Sequence, residues 1–421
     1  MAVRFPIQGL GIPSTSQQNI YNLVQAVLNG NTSQILQYTT SLGAPFVMRV
    51  IHDLYLGGQI SLSSLVNIIT SVATNNANQA QEMLYYLASI GDVKTLVQII
   101  TYNAPSNNYA NTTATATQTF WNNWYFDVKN SLVVGPSATY TEPNGPAVLI
   151  AYSIRVSGGG TPIPTIQVNP MNNGGVAPSG AGGTGYYFNI GLQNVNGSAG
   201  TSTATSASGG GIPGGGGAGG GNGSTAGGNG GSTSDVQGFP SINQFIQTVL
   251  KFVADYYLVN ILKVTPTSTT SLPSVYGGGG GAGTSGNGGG GGSGFIIVTS
   301  NIIISNGQII ANGQNGQSVS SGGAGGGGGG GQIYIITNEI SMSLSSISAN
   351  GGNGGSTSGT GNVGGGGGGG GQIFILARII SLASSGVSTN TNAGSGGSGG
   401  TNGGAGQSSP VNIQSVIGTY N

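Results

Sequence analysis

The sequence predicts an α+β, multidomain protein. It reads as an N-terminal helical domain, a β-rich middle, and a C-terminal glycine-rich repeat, either a β-helix or a polyglycine-II/β stack. Three observations predict this. Residues 14–103 place apolar side chains at helical spacing between capping residues. Residues 104–170 carry short β-branched runs. From 288 to 394 one phrase recurs three times: a glycine tract, an apolar run and a small polar tail.

In chain order, Ser14-Thr15-Ser16 caps a helix to about Leu28, ended by Gly30. Thr32 or Ser33 caps a second that stops near Gly43. Further helices run over about 45–56, 61–73, 77–90 and 93–102, punctuated by Gly57-Gly58 and Gly91-Asp92. Ile20, Val24, Val27 and Leu28 share one helical face, as do Leu65, Ile68, Ile69 and Val72. Residues 1–103 thus form a helical domain, read as an attachment base. Residues 104–170 read as an antiparallel β-domain with strands at 131–134 and 147–156. Its core is the aromatic cluster Phe120, Trp121, Trp124, Tyr125 and Phe126. The glycine-rich domain covers 171–421, with an inserted helix at about 241–263 that is apolar nearly all round but contains Lys251, Asp255 and Asn260.

Within the repeat, tracts 288–292, 325–331 and 364–371 precede Ile-rich runs at 294–304, 332–340 and 372–380. Aligning Gly294, Gly331 and Gly371 gives steps of 37 and 40 residues and puts Ile296, Ile333 and Ile373 in one slot. Asn301, Asn338 and Arg378 fall in another, a possible Asn ladder. Both faces of these strands are apolar, so each is covered on both sides. The tracts admit two readings: flexible linker, or extended strands packed closely because no Cβ intervenes.

Composition bounds the function. Of 421 residues, 86 are glycine, without a Gly-X-Y period, which excludes collagen. Eight Lys+Arg balance eight Asp+Glu, and beyond Lys263 only Glu339 and Arg378 are charged. That leaves no electrostatic basis for binding nucleic acid. Cysteine is absent and His52 is the lone histidine, so thiolate chemistry, metal sites and triads lack ligands. His52 beside Asp53 and Arg49 reads as a helix-surface or core histidine. Gly-x-Gly-x-x-Gly patterns are uninformative at this glycine content and lack the strand–turn–helix context of a dinucleotide site. Glycosylation patterns at Asn31, Asn111, Asn196 and Asn222 are expected by chance. No catalytic, cofactor-binding or metal-binding residue is assigned and no cofactor is expected. No window reads as a membrane span, and the start of the chain does not read as a secretory signal.

The block 288–394 resembles the glycine-rich, β-helix-like repeats of archaeal surface and virion proteins, with tract, Ile-rich strand and Ala311-Asn312-Gly313 or Ala349-Asn350-Gly351 turn. It is also similar to the polyglycine-II sandwich of T-even phage tail-fibre adhesins. The likeness departs at the helical N-terminus and at the helix from Ser241. It implies a non-enzymatic virion structural protein, a spike, turret or fibre of an archaeal virus whose tip attaches to the host. By the same likeness the loops 314–321, 356–363 and 389–401 form the recognition surface. They supply Gln314, Asn315, Gln317, Ser356, Thr357, Thr360, Asn362, Thr389, Asn390 and Asn392. Expected partners are other virion proteins through the helical domain, a host glycan or protein, and further copies of the chain. A cellular surface-layer or appendage subunit is the alternative, and a polysaccharide-active β-helix enzyme a third.

Overall fold

The computed structural model describes residues 14–143, 145–170, 185–190, 202–203, 206–207, 233–281, 283, 285–358, 363–383, 385–399 and 411–415. They fall in two compact units, one within Met1–Tyr102 and Gln247–Thr270, the other within Asn103–Ile246 and Ser271–Thr419.

The first unit begins with six helices: α1 (Ser14–Leu28), α2 (Thr32–Leu42), α3 (Ala44–Leu56), α4 (Leu62–Asn75), α5 (Ala77–Ser89) and α6 (Val93–Thr101). Their starts are chemically marked. Asn31, Ser61, Asn76 and Asp92 each accept a backbone N–H of the first turn. Their periodic faces close over Leu23, Ile35, Met48, Leu65, Leu84 and Leu96, all fully buried. Helix α7 (Ile242–Tyr256) continues into a π-helical turn, Tyr257–Ile261. Its Asp255 is fully buried and accepts from Gln81, Tyr85 and the Thr270 amide. Among the described residues no helix is long and apolar enough to cross a membrane.

The second unit holds β1 (Ser106–Tyr109), β2 (Thr113–Thr115), β3 (Thr119–Trp121), β4 (Trp124–Val134), β5 (Thr139–Glu142), β6 (Ala147–Ser157), β7 (Thr165–Val168), β8 (Gly185–Ile190), β9 (Ser202–Thr203), β10 (Ser206–Ala207) and β11 (Thr233–Phe239). It continues with β12 (Gly294–Ser305), β13 (Gln308–Ile310), β14 (Gln332–Ser343), β15 (Ser345–Ser348), β16 (Gln372–Leu382), β17 (Val387–Asn390) and β18 (Val411–Ser415). The larger sheet runs β1-β4-β6-β12-β14-β16-β18 and the smaller β17-β15-β13-β7-β5-β2, with every neighbour along both paths parallel.

This corrects the expected fold class. The helical region is followed by two parallel sheets with an α/β-type strand order, not by a β-rich middle and a separate C-terminal β-helix or polyglycine-II stack. Residues 104–170 are not an antiparallel domain either. Only the short β3–β4 pair is antiparallel, while β6 pairs with β12, which begins more than a hundred residues downstream. Local pattern cannot reveal such a distant partner. The aligned slots also shift by one residue in the first copy, because Gly294 pairs with Gln332 and Gln332 with Gln372. Ile296 therefore lies beside Tyr334 and Phe374, on the opposite face from the one expected. Asn301 lies beside Glu339 and then Ile379, so no Asn ladder forms in that slot.

Strands β1, β4, β6, β12, β14 and β16 each turn into a small-sheet strand through a corner with a left-handed residue: Asn111, Ser137, Gly158, Asn306, Leu344 and Gly386. Between the sheets Leu149, Ile297, Ile335 and Ile375 pack with Ile166, Ile309 and Ile347. The other face of the large sheet carries the stacked pair Tyr334 and Phe374, covered by Phe188 and Phe245.

Of the two readings of the glycine tracts, the described residues take the ordered one. Segments 289–292, 323–331 and 364–371 are buried. They exchange amide bonds sideways, as in Gly289 to Gly326, Gly292 to Gly329, Gly327 to Gly366 and Gly330 to Gly369, all 2.8 Å. Close approach makes glycine necessary. A Cβ on Gly328 would lie 2.1 Å from the Gly290 oxygen, and one on Gly368 2.1 Å from the Gly328 oxygen.

Candidate functional site

Beyond the small sheet the chain continues through residues 311–318, 349–357 and 391–398, which lie side by side. Gly313 donates to Asn350 and Gly351 to Asn392; Gly316 donates to Asn353 and Gly354 to Ser395. On the inner side the same segments bond to the tracts, as in Gly328 to Gln314 and Gly368 to Gly352, both 2.9 Å. Along 391–398 burial repeats every three residues: Thr391, Gly394 and Gly397 are buried, and Asn392, Ser395 and Ser398 exposed.

Side chains brace these segments across the rungs. Asn312 Oδ1 accepts the Asn350 amide at 2.7 Å, and Asn350 Oδ1 accepts that of Asn392 at 2.9 Å. Asn315 Oδ1 accepts from Asn353, and Asn353 Oδ1 from Ser395. Ser318 Oγ accepts from Ser356, and Ser356 Oγ from Ser398. A backbone N–H needs an acceptor, so each bond fixes which end of the amide points inward and leaves the Nδ2 donor outward. Three neutral polar columns result.

The expected recognition residues sort as follows. Gln314, Asn315, Gln317 and Asn392 are exposed, and Ser356 is half-buried, on these columns or beside them. Gln314 and Gln317 also turn their Oε1 atoms back to the Gly290 and Asn287 amides. Thr357 is buried, bridged to Val319, with an unpartnered hydroxyl. Thr389 and Asn390 are half-buried within β17. Thr360 and Asn362 lie outside the described residues. Sequence reasoning missed Asn312, Asn350 and Asn353, and placed Ser318, Ser395 and Ser398 in the candidate loops without singling them out. A signal existed: Asn/Asn/Ser, Asn/Asn/Ser and Asn/Ser/Ser recur at i, i+3 and i+6 in the three copies.

The titratable groups sit elsewhere. His52 is buried, its Nε2 2.7 Å from Asp92 Oδ2, and Asp92 also caps α6 through the Thr95 amide. That bond ties α3 to the start of α6. In the second unit Asp127, Lys129, Tyr140 and Glu142 are all buried. Lys129 Nζ lies 2.6 Å from Asp127 Oδ1, the Tyr140 hydroxyl donates to Asp127 Oδ2, and Gln118 donates to Glu142. Burial pushes the Glu142 carboxyl well above its ordinary value, and the Asp127 charge adds to the rise. Tyr140 is raised by the same two causes in the same order. Among the described residues no group of three or more His, Cys, Asp or Glu converges to hold a metal ion.

Compared with protein-family models, with curated proteins and with solved structures, the chain matches none.

Proposed function

We propose that the protein is a non-enzymatic structural component of a virus particle, a spike, turret or fibre that presents its glycine-rich face to the host surface. The observation that carries this reading is the set of three pinned, uncharged columns. A surface of Asn, Gln and Ser held by backbone bonds changes little with pH or salt, since none of these groups titrates and none is screened. Such a surface suits a particle exterior. The clustered groups Asp127, Lys129, Tyr140 and Glu142 are enclosed, which favours presentation over catalysis. In this reading the helical unit joins the protein to other virion proteins, and the outer face meets a host glycan or protein.

Mass spectrometry of purified particles and of host cell envelopes tests the location. The protein is expected in the particles. Recovery only from envelopes of uninfected cells replaces this reading with a surface-layer or appendage subunit, and release of fragments from host polysaccharide replaces it with an enzyme. For the face itself, Asn392→Arg with Ser398→Arg puts charge on the last rung. Adsorption to host cells is expected to fall by about tenfold or more, equivalent to about 1.4 kcal/mol. Unchanged adsorption removes the columns from the contact surface.

A further inference from the structure

The buried charges of the second unit occupy positions that every later rung fills with neutral side chains. Asp127 is followed in register by Leu149, Ile297, Ile335 and Ile375, and Lys129 by Ala151, Thr299, Thr337 and Ala377. Tyr140 is followed by Ile166, Ile309 and Ile347, and Glu142 by Val168. An enclosed ion pair is a costly substitute for an aliphatic pair of similar volume. The exposures of Asp127, Lys129, Tyr140 and Glu142 are only 1%, 6%, 0% and 0%. Glu142 Oε1 has no hydrogen-bond partner.

We propose that this cluster is a self-modification site at which Lys129 Nζ condenses with the Asp127 carboxyl to form an isopeptide bond. The 2.6 Å approach of Nζ to Oδ1 already holds the two reactants together, and the Tyr140 hydroxyl polarises the carboxyl from its other oxygen. The balance is simple. One proton passes from Nζ to the Asp127 carboxyl as the reaction begins. The nitrogen lone pair then attacks Asp127 Cγ. The C–N bond forms, the C–OH bond breaks, and the departing hydroxyl leaves as water with the second nitrogen proton. No oxidant, cofactor or activated donor is required. The bond joins two residues of one strand. Its effect is therefore to replace two enclosed charges by one neutral amide, rather than to tie neighbouring strands together.

Peptide mapping of the full-length wild-type chain by tandem mass spectrometry tests this directly. The peptide containing both residues is expected lighter by one water, with trypsin unable to cut after Lys129 because its amine is acylated. In Lys129→Arg the full sequence mass returns. In Tyr140→Phe the linked fraction, followed in time after synthesis, is expected to form at least tenfold more slowly. A wild-type peptide of full mass, cut after Lys129, overturns the proposal without any variant having to fold. Linkage formed at an unchanged rate in Tyr140→Phe overturns the role given to that hydroxyl. Neither outcome bears on whether the protein resides in virus particles.

Discussion

The helical unit and the sheet unit are held together by opposite means. In the helical unit the side chains do the work: Leu23, Met48, Leu65, Leu84 and Leu96 are fully buried, and the starts of α2, α4, α5 and α6 are closed by an Asn, Ser or Asp. In the glycine segments the backbone does it, with amide bonds near 2.8 Å running sideways between chains that have no side chain to pack. The lesson concerns tolerance. A side-chain core degrades gradually when atoms are removed. A backbone lattice with no room for a Cβ fails when a single carbon is added.

The largest effect should come from breaking the lattice. Gly328→Val or Gly368→Val forces a Cβ to 2.1 Å from a carbonyl oxygen that is itself fixed. The sheet unit is expected not to fold, as measured by limited proteolysis and by the yield of soluble chain. A protease-resistant variant would show that the segments can part. By contrast, Leu84→Ala in the helical unit should cost about 2–5 kcal/mol while the chain still folds, read by denaturant titration.

A smaller effect depends on pH. Glu142 is raised in the folded state mainly by burial, from an ordinary 4.5. Above that value the unfolded chain ionises while the folded chain keeps its proton, so stability falls as pH rises from about 4.5 towards neutrality, and is fullest below it. Asp255, raised by burial in the helical unit from an ordinary 3.8, has the same sign. Melting temperatures between about pH 4 and pH 7 should therefore fall with rising pH, with a shallower slope in Glu142→Gln. An unaltered slope would place the dependence elsewhere. The smallest change is to the columns: Asn353→Ala leaves the Ser395 amide without its side-chain acceptor. It should cost about 1 kcal/mol, and a loss near zero would mean that water replaces the bond fully.

The helical region was legible because its signals are local. Caps, glycine stops and apolar spacing all lie within one helix, and α3 through α6 fall where the sequence puts them. The repeat was legible as a repeat, but not its register. Three similar apolar runs align equally well with a one-residue slip, and only the paired backbone shows that Gly294 meets Gln332. The parallel order of residues 104–170 was hidden because β4 and β6 share a sheet with strands far along the chain. Half of the candidate face was likewise visible as polar loops. The other half was hidden: Asn312 and Asn350 read as turn residues and Asn353 as none in particular, whereas the side-chain carbonyl of each supports the next rung.

Amide hydrogen exchange across residues 289–292, 323–331 and 364–371 tests the central claim most directly, since those N–H groups bond chiefly to neighbouring backbone. Protection comparable to that of the helix cores α4 and α5 is the expected result. Exchange at the rate of an open chain throughout these segments would contradict a lattice held by its backbone.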